Sequence, residues 1–281
     1  MERAAEAARE GDLQYISGIA PEELRRLCSK KDEDGRSLLH AASASGSLPL
    51  LQLLLDHGAG AAVNSGDEEV RRGGGGRRQK HLLATLAAAG TRRPRAPPLA
   101  LTSRPPGPCV CIQGWTPLQS AASCGHEAVA RALLALGADG NQANAQGRAP
   151  LHYAASKGHL PMLRLLLEAG CAVEAKDCMG ATPLHRAAGA GRSKAVRVLV
   201  KEGGARVDAR DSAGATPLLL AAAGAQQAAA VLLVSLGADV EAEDKEGETP
   251  LGAAAAHGKL RDALVAVATG AVEAEELLLQ E

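Results

Sequence analysis

The chain has 281 residues, with 31 Lys and Arg against 32 Asp and Glu and a formal net charge of −1. That balance points to neither nucleic acid nor an anionic membrane, and with Trp115, Tyr15 and Tyr153 as the chain's only Trp or Tyr and no Phe, a stacking platform for single-stranded bases is not expected. Cys28, Cys109, Cys111, Cys124, Cys171 and Cys178 form no CxxC pair, so neither a zinc site nor a cofactor is expected.

The opening residues MERAAE lack the apolar run of a signal peptide. No apolar stretch approaches the roughly 18 residues of a membrane helix. The expectation is a monomer in a reducing cytoplasmic and nuclear setting. Residues 4–9, Gly11-Asp12 and residues 22–27 read as a shortened N-terminal capping unit over 1–31.

A unit opened by glycine then recurs at Gly35, Gly114, Gly147, Gly180, Gly214 and Gly247, the last four steps being 33, 33, 34 and 33 residues. Each unit is a turn followed by two short amphipathic segments. One such unit cannot bury its apolar face alone and must stack on its neighbours. The unit from Gly147 to Met179 shows the logic. Gly147 closes a turn that needs positive φ. Thr116, Thr182, Thr216 and Thr249 cap the first helix in the sister units, and a proline follows each. Ala149 stands in the capping position here, which weakens that cap by about 1 kcal/mol. Ala154-Ala155 allows close approach of the next unit. Gly158-His159 ends the first helix, and Pro161 starts the second, with Met162, Leu163, Leu166 and Leu167 expected inward and Gly170 after its end. The second helix recurs over 50–55, 129–134, 163–167, 196–200 and 231–233.

The organisation read from this pattern is an all-α solenoid with β-turn fingers, of about seven units including caps. A capping unit fills 1–31, one repeat 32–69, four repeats 114–246, and a C-terminal cap 247–281. Between them, residues 70–113 are rich in Arg, Gly and Pro and carry no repeat pattern. One reading is a flexible basic loop. The other is a retained intron. Joining Glu69 to Gly114 restores D-x-x-G, the turn spelled by Asp32 and Gly35, Asp177 and Gly180, Asp211 and Gly214, and Asp244 and Gly247. Valine codons begin GT and glutamine can be CAG, so both splice dinucleotides fit the edges. The two residues left over fall in the Gly60-Ala61 stretch.

No HExxH, GxSxG or GxxxxGK[ST] occurs, and Gly73 to Gly76 lacks the rest of a phosphate loop, so a non-enzymatic role is expected. His40, His152 and His185 read as braces between neighbouring turns, not as metal ligands. The candidate partner-binding residues are Arg36, Trp115 and Arg148, which follow turn glycines, with Tyr153, Lys157 and Arg186 on first helices. Arg and the large aromatics are types enriched at binding hot spots.

The period and the TPLH core resemble the ankyrin-repeat family. Within it, GWTPLQSAAS (114–123), PLHYAASKGH (150–159), LLLEAG (165–170), AKD (175–177) and HRAA (185–188) are similar in order and register to the gankyrin branch. That resemblance implies an assembly chaperone of the 26S proteasome regulatory particle. It would hold the C-terminal domain of the Rpt3-like (6B) base ATPase on its concave face by charge complementarity. Arg36 and Lys157 match the branch's basic contact residues, and Trp115 its finger-tip tryptophan. The branch's LxCxE-like motif is not carried over, because residues 218–223 read LLLAAA. The alternative is another ankyrin adaptor, in signalling, ubiquitin-ligase substrate recruitment or cyclin-dependent-kinase inhibition.

Overall fold

A computed structural model of the chain describes residues 2–32, 35–64 and 114–270, and every structural statement concerns these. The first unit is α1 (Glu2–Glu10), α2 (Leu13–Ser17) and α3 (Pro21–Cys28). Five helix pairs follow: α4 (Leu38–Ser45) with α5 (Leu48–Asp56), α6 (Pro117–Cys124) with α7 (Glu127–Ala135), α8 (Pro150–Lys157) with α9 (Leu160–Glu168), α10 (Pro183–Gly189) with α11 (Ser193–Lys201), and α12 (Pro217–Ala223) with α13 (Gln227–Ser235). The last unit is α14 (Pro250–Ala253), a 3-10 turn at Ala254–Ala256, and α15 (Gly258–Ala268).

The helices stack in two layers. The first helices α1, α4, α6, α8, α10, α12 and α14 pack each on the next, and so do the second helices α2, α5, α7, α9, α11, α13 and α15. Alanine makes the first layer possible. Ala41-Ala42, Ala121-Ala122, Ala154-Ala155, Ala187-Ala188 and Ala221-Ala222 are all buried. Leu51, Leu54, Leu133, Leu163, Leu166, Val196, Leu199 and Leu233 fill the space between layers. Leu167, expected inward, is half-buried, and Leu165 takes the deeper place on α9.

Three of the four threonines expected to cap first helices do so; Thr182 does not, its hydroxyl standing 2.9 Å from His185 Nδ1 instead. The hydroxyls of Thr116, Thr216 and Thr249 accept from the amides of Gln119, Leu219 and Gly252 at 3.2, 3.2 and 3.1 Å. Ala149 offers no such bond, as its side chain requires.

The residues on either side of 65–113 belong to adjacent units of one stack. α4 packs on α6. The Asn64 side chain accepts from the Asp139 amide at 2.8 Å and donates to the Gly137 carbonyl at 3.1 Å. Asn141, Glu174 and Asp208 take the same place in later units, accepting from the amides of Ala172, Arg206 and Asp239. Each of those three stands six positions before its turn glycine, Gly147, Gly180 or Gly214. Six positions beyond Asn64 is Val70, and the glycine that serves this unit is Gly114. The register therefore sets residues 70–113, which lie outside the described residues, apart from the repeat. The two extra residues of the α4–α5 unit fall between Gly58 and Asn64, where Ala59–Ala62 forms a 3-10 turn.

Two outcomes follow. Leu166→Ala or Leu184→Ala, at fully buried positions, should each cost about 2–5 kcal/mol in chemical denaturation, and half-buried Leu251 less. A chain joined from Glu69 to Gly114 should unfold cooperatively at the same or a higher temperature, since a shorter loop costs less closure entropy. Loss of the cooperative transition would show that 70–113 is needed for the stack.

Candidate protein-binding surface

The turns between units form a row of fingers, each built round an Asn or Asp. Asn144 Oδ1 accepts from the amides of Gln146 and Arg148, both at 3.0 Å. Asp177 Oδ1 accepts from Met179 and Ala181 at 2.9 and 3.0 Å, and Asp211 and Asp244 repeat the pattern. The glycine three residues on is left-handed: φ is 71° at Gly147. Backbone bonds then tie finger to finger: the amides of Cys178, Ser212 and Lys245 donate to the carbonyls of Gln146, Met179 and Ala213, each at 2.9 Å. The residue after each turn glycine is thereby held at a fixed place in its unit.

Four of the six candidate residues come together on this scaffold. The Trp115 ring lies against Tyr153, centroids 4.5 Å apart and planes tilted by 44°. The Tyr153 hydroxyl accepts from Asn144 Nδ2 at 2.8 Å. Arg186 Nε donates to Asp177 Oδ2 at 2.9 Å, and its Nη2 reaches the same oxygen. Arg148 Nε stands 3.6 Å from that oxygen. The Asp177 side chain is fully buried, whereas those of Arg148 and Arg186 keep 31% and 29% exposure. Burial raises the Tyr153 phenol pKa above its ordinary value, opposed by the charge of Arg148. Tyr153 thus stays neutral and presents a ring edge and a hydroxyl.

Lys157 is exposed one turn beyond Tyr153 on α8, so the two share a helix face. Arg36 is half-buried in the preceding unit, in the position that Trp115 takes in the next. Its amide donates to Asp32 Oδ1 at 2.8 Å, and Asp32 Oδ2 receives Arg9 at 2.9 Å. The surface offers an aromatic platform and guanidinium edges that can meet carboxylates and carbonyls. Among the described residues no cluster of His, Cys, Asp or Glu could hold a metal ion, and no helix is long and apolar enough to cross a membrane.

Comparison with protein families agrees with this geometry. The family described as Ankyrin repeats (3 copies) matches residues 99–177, 136–211 and 170–244, and the one described as Ankyrin repeat matches 34–68. Together they cover more than half of the chain. The chain is a member of the ankyrin-repeat family. Ankyrin-repeat proteins are typically non-enzymatic modules that bind other proteins. Comparison with curated proteins finds no match.

As an ankyrin protein the chain uses its TPLH histidines for bracing. His152 Nδ1 accepts from the Ala149 amide at 3.1 Å while Nε2 donates to the Ala181 carbonyl of the next unit at 3.2 Å. His185 does the same between the Thr182 amide and the Ala215 carbonyl, and His40 between the Ser37 amide and the Trp115 carbonyl. Gln119 replaces the ring in its own unit. Its Oε1 accepts from the Thr116 amide at 2.9 Å, and its Nε2 donates to the Gln142 and Arg148 carbonyls at 2.7 and 3.0 Å.

The sequence reading missed two features of this ankyrin stack. One is the double use of Asp177; a signal for it existed, since Asn144 and Asp177 each stand nine residues before Tyr153 and Arg186. The other is a second row of imidazoles, in which His126 and His159 donate back to the carbonyls of Ala44 and Ser123 at 2.9 and 3.1 Å. These rings lie over Gly46 and Gly125. A Cβ at Gly46 would stand 2.4 Å from the His126 ring, so close approach as well as φ demands glycine there.

Burial holds His152 and His185 below the ordinary imidazole pKa, against the pull of the Ala181 and Ala215 carbonyls. A depressed imidazole stays neutral in the fold and binds its proton more readily when unfolded. Its contribution is therefore complete above about pH 6.5 and declines as pH falls below that value. The denaturation midpoint should drop accordingly between about pH 6.5 and 5. A His152→Gln, His185→Gln variant should keep both braces, as Gln119 does, and lose part of that slope. Equal slopes for the two proteins would refute the titration.

Proposed function

We propose that this ankyrin protein is a gankyrin-like, non-enzymatic chaperone for assembly of the proteasome regulatory-particle base. It takes the C-terminal domain of an Rpt3-like ATPase on the face formed by fingers and first helices. The observation that carries the reading is the meeting of Trp115, Tyr153, Arg148 and Arg186 in one partly exposed patch, with Lys157 beside it and Arg36 one unit before. Trp115, Tyr153 and Lys157 also lie within the runs GWTPLQSAAS and PLHYAASKGH that resemble that branch. A ring platform supplies contact area at low entropic cost, and flanking cations set specificity and association rate for an acidic partner. The protein works as a monomer in cytoplasm and nucleus.

A second reading is a general ankyrin adaptor. It is favoured by Asp177, which already answers Arg148 and Arg186 and leaves the patch less positive than its arginines suggest.

Titration calorimetry with the isolated ATPase C-terminal domain at two salt concentrations separates them. Under the chaperone reading, Trp115→Ala should cost about 2 kcal/mol or more. Arg36→Glu with Lys157→Glu should weaken binding while thermal unfolding stays cooperative, and added salt should weaken it further. A double reversal that binds like wild type removes this face from the contact. No binding by wild type leaves the adaptor reading in its place.

A further inference from the structure

The opposite, outer face of the stack carries a groove of different character. Leu160, Val198 and Leu232 form its floor, and Arg164 on α9 with Lys194, Arg197 and Lys201 on α11 wall it. On α11 the three cations recur at i, i+3 and i+7. They share one exposed stripe, with Lys194 and Lys201 about 10 Å apart along the axis.

Three other arginines of the stack are answered by neighbours. Arg164 holds Glu202 with two bonds of 3.0 Å, Arg131 holds Glu127 at 2.7 Å, and Arg206 holds Glu174 at 3.2 Å. Lys194, Arg197 and Lys201 form no salt bridge among the described residues. Their pattern also works against the helix that bears it. Like charges at i, i+3 and i, i+4 repel, and Lys194 lies in the first turn, at the positive end of the helix dipole. The equivalent positions are Pro161, Arg164 and Glu168 on α9 and Ala228, Val231 and Ser235 on α13, so the repeat does not impose it. Lys201, in the last turn, is the one of the three that the dipole favours; the two like-charge pairs and Lys194 remain uncompensated, and such a local conflict is expected at a functional surface.

We propose that this groove is a docking site for an acidic amphipathic segment of another protein, with carboxylates on the α11 stripe and an apolar side chain over Val198 and Leu232. Charge complementarity selects the carboxylates, and the apolar floor selects a peptide over a nucleic acid backbone. The site lies on the layer of second helices, so it is independent of the partner proposed for the fingers.

The probe is a fluorescein-labelled helical peptide of about 18 residues, long enough to hold a helix on a surface. It carries Glu at i, i+3 and i+7 with Leu beside them. Anisotropy with the full chain reads its affinity against a scrambled peptide of equal composition and a short DNA duplex. The designed peptide should bind best. Lys194→Glu, Arg197→Glu, Lys201→Glu should weaken it about tenfold or more, and Arg131→Glu should not. The milder Lys194→Gln, Lys201→Gln pair serves if the triple variant loses its cooperative unfolding. Binding of the ATPase domain should be unchanged in either.

Four results would each overturn the proposal. The designed peptide fails to bind, or its affinity ignores the α11 substitutions. The scrambled peptide or the duplex binds as well, which makes the stripe a general anion surface. Removing residues 271–281, which hold four glutamates and no basic residue, strengthens peptide binding about tenfold, which assigns the groove to the chain's own end. Sedimentation shows a dimer that the triple reversal dissolves, which assigns it to a second copy.

Discussion

The structure depends on one polar position per unit that serves two backbones at once. The residue three after the helix cap accepts from its own unit's first-turn amide and donates to the carbonyl where the next unit begins. His40, Gln119, His152 and His185 all do this. Leaving such buried groups unmet would cost about 1–3 kcal/mol each, so the bond fixes the angle between units while the alanine rows fix their distance. At Leu219 the position turns apolar, and nothing there can donate. In that unit Thr216 still caps its helix, and the link forward passes to the fingers, through Arg210 to the Gly214 and Glu243 carbonyls and Lys245 to Ser212. The next first helix, α14, gives way to a 3-10 turn after four residues. Loss of the brace and loss of regular helix coincide, as expected in a stack whose stability is a sum of neighbour terms.

The same bracing decides how the candidate surface is built. The fingers from Gln146 to Lys245 are bonded each to the next, and Trp115 rests on a tyrosine from the following unit. Asp177 shows the cost and use of such fixity. A buried carboxylate needs strong partners, and it has two amides and two arginines. It orients both guanidinium groups at the surface, yet it spends part of their charge inside the molecule. Arg148 and Arg186 therefore act as edges of fixed direction, while exposed Lys157 is left as a full charge.

What could be read from the sequence follows the same division. Turn glycines, the Asn or Asp before them, threonine caps and the TPLH position are dictated by backbone demands that few residue types meet, so residue type alone reveals them. The helix pairs and their apolar faces followed from period. Leu165 and Leu167 were exchanged because both sit at the edge of the buried stripe, where the tilt of α9 on its neighbours decides. The charge-sharing of Arg148, Asp177 and Arg186 was hidden because it joins two units and a turn. A reading of one unit at a time took the arginines as separate partner contacts and did not join them through Asp177. The back-reaching His159 was taken as a helix end for the same reason.

The place where the α4–α5 unit meets the α6–α7 unit shows why the stack is tolerant there. Asn64 keeps its bonded position in the repeat and Gly114 its left-handed backbone, φ 87°, although 49 residues stand between them in the chain, where sister units have five. By register this excess enters at a finger, after the second helix has finished its packing and before the next cap begins. An insertion within a helix would shift every buried side chain that follows. At a turn, it adds only a closure cost that grows with the logarithm of its length, about 0.6 kcal/mol per doubling. The bonds of His40 to Trp115, His126 to Ala44 and Asn64 to Asp139 span that point. The first and third kinds of contact recur between later units, and the second recurs once, as His159 to Ser123, so the solenoid continues across the longer connection between its first two full repeats.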